Sequence, residues 1–377
     1  MKNKKEPIRI AQIMGKWVGG GVEAVVMNYY RNIDRNKVQF DFICDDDSTC
    51  IPKEEIENLG GKVILIPPYQ KVFKYHKELK KVLKKGKYKI IHSHINALSV
   101  FPLWASKSAK VPVRIAHSHS TSNKKEWKKT LLKNVLRPFS KLFATDYFCC
   151  SELAGRWLFG NKTYDQGKVY PLNNAIDVDK FKYNEKVRKA KRKELNIEDK
   201  DLVIGHIGRF VKQKNHEFLI DIFNEIHKKN KNTILLLAGD GPLKEAIQNK
   251  VKELNLDKNV KFLGQRNDVN ELYQAMDLFL FPSLYEGLGM VLIEAQCAGN
   301  LCFASTEVPS VAKLTDNLNF ISLSTTPEKW ATDILNKIEQ YHRKSNKSEI
   351  TKANYDIKEE VKKLEKKYID CLSRWKE

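Results

Sequence analysis

The stretch FPSLYEGLGMVLIEA, residues 281–295, reads as the end of a buried strand, a glycine-bearing loop and the opening of a helix. The run DLFLF from Asp277 is apolar and closes at Pro282, and the apolar positions after Gly289 recur at helical spacing. Gly287 and Gly289 keep side chains off the backbone, and the first N–H groups of a helix have no intrahelical acceptor, so those of Gly289 and Met290 face outward. Diphosphate suits such a helix start. Glu294 falls in the second helical turn, where a carboxylate can accept from two vicinal hydroxyls. Glu286 stands before the helix, nearer to whatever the diphosphate carries. Taken alone, the segment is equally an ordinary helix start with two dipole partners.

A second segment tips that balance. In GHIGRFVKQKN, residues 205–215, the apolar strand LVIGHI runs into glycine and then into two cations, Arg209 and Lys214. Most lysines of so basic a chain are solvated charges. These two sit just past a strand's carboxyl end, where doubly wound sheets bind ligands, and two cations beside a helix start suit a diphosphate.

Around these segments, strands alternate with helical stretches throughout. IRIAQIM, VQFDFIC, KVILIP, KIIHSH, VRIAHS and DYFCC are strand candidates of the first half, and LVIGHI, TILLLAG, VKFLG, DLFLFPS and NLCFAS of the second. Each set predicts a doubly wound α/β sheet. At 377 residues the chain exceeds what one core organises, so two domains are expected, 1–175 and 176–354, with the polar, lysine-rich stretch 177–201 as their connection. Seven cysteines without a CxxC pattern read as reduced, mostly buried thiols rather than a metal site.

The two segments, a glycine-rich first loop (Gly19, Gly20, Gly21, then Glu23) and AGDGP at 238–242 together resemble the retaining family 4 glycosyltransferases, whose GT-B fold sets two Rossmann-like domains across a cleft. The resemblance spans Gly19 to Glu294, includes the seven residues between Glu286 and Glu294, and is nearest to bacterial enzymes that assemble capsular or exopolysaccharide repeat units. It implies transfer of a hexose or N-acetylhexosamine, with retention, from a nucleotide sugar, expected to be a UDP-sugar, to a glycan or polyprenyl-diphosphate-linked acceptor. Arg209, Lys214 and the N–H groups of Gly289 and Met290 would hold the diphosphate, Glu294 the ribose and Glu286 the sugar hydroxyls. Gly20 and Gly21 would bring the first domain's backbone to the diphosphate, and His117 would lie near the donor sugar, with His119 and His94 as rivals for that role. The base would be read near Gln265–Val269. The helical pattern from about 355 to 377 would pack back on the first domain.

No metal or other cofactor is expected, because the cations fill that role, and activity should survive EDTA. Asp45 and Asp47 form an Asp-x-Asp pair but lack the context of a metal-binding donor site, so an exposed acidic loop is the better reading. Asn174–Asp177, NAID, matches the family's interdomain Asn-Gly-Val-Asp pattern except at Ala175, which would be strained if that position needs a positive φ.

Charge is uneven. Of the net +21, residues 1–170 hold 32 Lys plus Arg against 15 Asp plus Glu. Residues 71–89 carry nine lysines and one glutamate, and 124–143 interleave seven cations with apolar residues at helical spacing. Both suit an anionic membrane surface, each nearby cation contributing roughly 1 kcal/mol, while solvated faces of core-packed helices are the plain alternative. No nucleic-acid-binding signature is present. Without a signal peptide or a membrane-spanning run, the expected location is cytoplasmic, peripheral at the inner face of the plasma membrane. Two other classes share some features: a GT-B-fold sugar-nucleotide epimerase, and a noncatalytic basic surface-binding protein. A dehydrogenase is disfavoured because the three glycines run together rather than as GxGxxG.

Overall fold

The structure, a computed structural model, describes residues 6–119 and 135–375. The chain divides into two compact units, Met1–Ala175 with Ile357–Glu377, and Ile176–Asp356.

The first unit is built on seven parallel strands: β1 (Ile8–Gly15), β2 (Val38–Asp45), β3 (Val63–Ile66), β4 (Ile90–Ser93), β5 (Val113–Ser118), β6 (Asp146–Cys149) and β7 (Val169–Pro171), in the order 3-2-1-4-5-6-7. β2 is buried along its whole length, which is why VQFDFICD reads as a nearly continuous apolar run. Of its two buried acidic residues, Asp41 pairs with Arg9 and accepts from Tyr88 Oη at 2.7 Å. The helix Gly21–Asn32 and the last helix, Ile357–Ser373, share a core with β1 and β2, the latter through Ile357, Val361, Leu364, Tyr368 and Cys371.

The second unit has six parallel strands: β8 (Leu202–Ile207), β9 (Thr233–Ala238), β10 (Val260–Gly264), β11 (Leu278–Phe281), β12 (Leu301–Ser305) and β13 (Leu318–Ile321), in the order 10-9-8-11-12-13. Each sheet reverses its winding once, between β1 and β4 and between β8 and β11, and ligands of such sheets bind outside the carboxyl ends of strands at that point. Both sheets are therefore Rossmann-like, as the strand alternation predicts.

Three local expectations need correction. The stretch 177–201 is not a bare connection: it forms helices Val178–Phe181 and Glu185–Glu194 of the second unit. Its polarity misleads because Arg192 is buried against Asp277 and Lys191 against Glu194, Asp268 and Glu271. Asp45 is not exposed; only Asp46 and Asp47 are, and burial with its acidic neighbours pushes the Asp45 carboxyl up to about 6. Ala175 is unstrained, since its φ is not positive. Six cysteines are buried free thiols and Cys50 is exposed.

Candidate functional site

In the second unit, the loop after β8 and the loop after β11 are laced together at the point where the sheet reverses. Leu284 N donates to Gln213 O at 2.8 Å, Gln213 Nε2 to Tyr285 O at 3.0 Å and Asn215 Nδ2 to Pro282 O at 3.1 Å. Asn215 can turn the chain into the helix His216–Lys229 because it adopts the left-handed conformation, with φ 55°. Between the two loops Lys214 Nζ donates to Glu286 Oε1 at 2.7 Å and lies 4.7 Å from the centre of the Phe281 ring. The side chains of this pair are 17 % and 7 % exposed, so they form a mostly desolvated ion pair. Arg209, on the same loop, is exposed and makes no ion pair among the described residues.

The loop after β9 explains AGDGP. Gly239 has φ +135°, and a Cβ there would lie 2.1 Å from Gly208 O; one at Gly241 would lie 2.6 Å from Phe210 O. Phe210 N donates to Asp240 O at 3.0 Å. These glycines let one loop pack directly on the backbone that carries Arg209.

Gly289 ends the β11 loop in the left-handed region, φ +78°, where a side chain is strained, and no side chain caps the helix Met290–Cys297 that follows. Its first N–H groups thus have neither an intrahelical nor a side-chain acceptor. Nothing lies within 4 Å of a Cβ built on Gly287. Glu294, one turn in, accepts from Tyr273 Oη at 2.8 Å. Burial pushes its carboxyl up to about 7, against the opposing pull of Tyr273 and Lys180. The structure therefore joins Lys214 to Glu286 and sets Arg209, Gly289, Met290 and Glu294 on the loops and helix beside them. Tyr273, the partner of Glu294, has no motif to announce it.

Gly20, Gly21 and His117 belong to the first unit. Gly20 precedes the helix Gly21–Asn32, and a Cβ on it would lie 2.9 Å from Glu23 Oε2; one on Gly21 would meet nothing within 4 Å. Glu23 folds this loop by accepting from Val18 N at 3.2 Å.

His117 is buried at the end of β5 among three other buried histidines. His92 Nε2 lies 3.0 Å from His117 Nδ1, and His94 Nδ1 lies 2.9 Å from His119 Nε2. His92 Nδ1 meets Tyr368 Oη at 2.7 Å and His94 Nε2 meets Gln12 Oε1 at 2.8 Å. Burial lowers all four rings' pKa values, that of His119 to about 3, so they are neutral. His92, His94 and His117 offer one nitrogen each within 4.8 Å of one another, which makes them the cation-sized grouping among the described residues. Gln12, His92 and Tyr368 escape motif reading. A signal does exist: HSH occurs twice, at 92–94 and 117–119, on paired neighbouring strands, and residues two apart share one face of a strand.

Known proteins resemble both units. Residues 19–180 match the family described as Glycosyltransferase Family 4, and residues 187–355 that described as Glycosyl transferases group 1. EpsF of Bacillus subtilis (strain 168), a protein named as a glycosyltransferase, is 35 % identical over 334 residues, 86 % of each chain. The Staphylococcus aureus capsular polysaccharide biosynthesis glycosyltransferase CapH is 27 % identical, over 93 % of this chain and 97 % of its own. An Escherichia coli UDP-Gal:α-D-GlcNAc-diphosphoundecaprenol α-1,3-galactosyltransferase is 25 % identical over 81 % of each. Among solved structures, Anabaena Alr3699/HepE in complex with UDP superposes with a TM-score of 0.72 at 19 % identity, over 97 % of this chain and 96 % of its own. With this identity to EpsF along most of its length and these matches in both halves, the chain belongs to the family 4, group 1 glycosyltransferases of the GT-B fold.

Proposed function

We propose that the protein transfers a hexose or N-acetylhexosamine, with retention and without a metal ion, from a UDP-sugar to a polyprenyl-diphosphate-linked saccharide in capsule or exopolysaccharide assembly. The observation that carries this reading is the second unit's group of Arg209, the Lys214–Glu286 pair and the uncapped helix start at Gly289, all at the point where the sheet reverses. Breaking the bond from anomeric carbon to phosphate puts positive charge on the sugar ring and negative charge on the leaving diphosphate. Arg209, Lys214 and the N–H groups of Gly289 and Met290 stabilise the latter as preorganised donors. Ionised Glu294 accepts from the ribose hydroxyls, Glu286 from those of the sugar. The acceptor attacks the face the diphosphate leaves, and a leaving phosphate oxygen takes its proton. UDP in the HepE complex and the lipid-linked GlcNAc acceptor of the E. coli relative support the choice of donor and acceptor class.

A peripheral seat on an anionic membrane, at the cytoplasmic face, fits this acceptor. No described helix is long and apolar enough to cross a membrane. Residues 124–134 of the second basic segment lie outside the described residues, while Val135, Phe139 and Leu142 beyond them are exposed apolar side chains.

The test is transfer from UDP-glucose, UDP-galactose and UDP-N-acetylglucosamine to a polyprenyl-diphosphate GlcNAc, in buffer containing EDTA. A glycosylated lipid with the donor's anomeric configuration is expected from one donor. Donor consumption without acceptor, inversion, or an absolute metal requirement would each refute the corresponding part.

A further inference from the structure

The four histidines of the first unit constrain one another's protons. Each neutral imidazole carries one N–H donor and one bare acceptor nitrogen. Gln12 sits at the root of two branches. Its Oε1 accepts, so His94 donates from Nε2 and keeps Nδ1 bare; that nitrogen accepts from His119 Nε2, which leaves His119 Nδ1 bare. Its Nε2 donates to Tyr368 Oη at 3.3 Å, so Tyr368 gives its proton to His92 Nδ1. His92 Nε2 then donates to His117 Nδ1, and His117 must carry its own proton on Nε2. His117 Nε2 and His119 Nδ1 are also the two ring nitrogens of this cluster that find no partner among the described residues.

Turning the Gln12 amide over reverses every step in both branches, so the two free nitrogens exchange roles and remain one donor and one acceptor. Their rings lie 3.9 Å apart. Both residues line a cavity of about 10 Å³, room for about one water molecule, which Gln12, His92, His94 and Tyr368 bound together with core residues such as Val25, Phe40 and Leu364. A hydroxyl both gives and takes a hydrogen bond. A phosphate oxygen could satisfy only the donor, and an ammonium only the acceptor.

We propose that Gln12, Tyr368, His92 and His94 are positioning residues that hold His117 and His119 in opposite hydrogen-bonding polarity, so that the two together bind one hydroxyl group, of water or of a sugar. The sugar source rests on the transferase reading above; the relay itself is read without turnover, so the two fail separately.

The experiment is long-range ¹H–¹⁵N spectroscopy of the full chain labelled at histidine, at pH 7.5. All four rings should be neutral and of one tautomer. Gln12→Glu replaces the root by a group that accepts on both sides. His94 and His119 should then keep the proton on Nε2, while on His92 and His117 it moves to Nδ1, leaving both free nitrogens bare. Tyr368→Phe cuts one branch and should uncouple the tautomers of His92 and His117 from those of His94 and His119, mixing those of His92 and His117. Ring resonances of His117 and His119 that move with UDP-glucose or UDP-galactose assign the hydroxyl to a sugar; unmoved resonances with a cross-peak to a long-lived water assign it to water. Mixed tautomers or a charged ring in the parent protein would overturn the proposal. So would one zinc ion per chain bound through these rings, or a His117 tautomer unchanged in both variants at native melting temperature.

Discussion

Glu294 faces two opposed demands. In the proposed role, holding ribose hydroxyls needs its carboxylate, yet burial favours the acid and pushes the pKa up to about 7. Affinity for UDP should therefore rise as pH passes up through 7, which calorimetric titration at pH 6 and 8 would show as a several-fold difference. The same group acts oppositely on stability: its folded pKa exceeds its unfolded one, so the folded state binds more protons between about 4.5 and 7 and loses stability as the carboxyl ionises. Glu294→Gln should weaken UDP binding about tenfold or more while raising the melting temperature at pH 8 by a few degrees. Arg209 and Lys214 should separate in the same way. Arg209→Ala removes an exposed cation and should lower kcat on the order of 10²-fold with melting unchanged. Lys214→Ala also strands the Glu286 carboxylate, and breaking such a buried pair costs about 3–5 kcal/mol, so its melting temperature should fall as well. Equal stability of the two variants would contradict the pair.

At the scale of elements, what the chain discloses in advance follows burial. β8, β9 and β11 are largely apolar and buried and easily read, whereas β7 (VYP) and β13 (LNFI) escape because they are short strands at the sheet edges. The Lys214–Glu286 contact is foreshadowed by two motifs at the carboxyl ends of strands, since the sheet makes β8 and β11 neighbours. The histidine relay is hidden because its ring-to-ring bonds depend on Gln12 and on Tyr368, 356 residues away. The glycines divide by role. Gly239→Ala should destabilise the second unit through its clash with Gly208 and its positive φ, whereas Gly287→Ala, in open space, should preserve melting but weaken UDP binding by obstructing the backbone. The helix Val72–Lys85 buries Tyr75, Leu79 and Leu83 and leaves Lys74, Lys77, Lys81 and Phe73 outward. Its apolar face is thus already used, so membrane binding by this helix would be electrostatic. Exchange of these three lysines for glutamate should abolish co-sedimentation with anionic vesicles, and added salt should do the same to the parent.

For the whole molecule, six of nine histidines, at 92, 94, 117, 119, 206 and 216, are buried with lowered pKa values. Below about pH 6.5 the unfolded chain takes up protons that these rings refuse, so stability falls as pH falls, by up to about 1.4 kcal/mol per pH unit for each ring. Asp45 and Glu294 act the other way but are only two groups. Melting temperature should decline steadily from pH 7.5 to 5, and a flat profile would mean that the rings are not buried neutral. The last helix gives the fold a temporal side. Tyr368 proves the protons of a cluster laid down by residues 12–119, and Leu364 and Cys371 complete the core of the first sheet. A ribosome has therefore made the entire second unit before the first can close. Until then the nascent first half carries an open apolar face and four histidines without their phenol. A chain cut after Asp356 should leave the second unit able to melt cooperatively while the first exposes its core to protease.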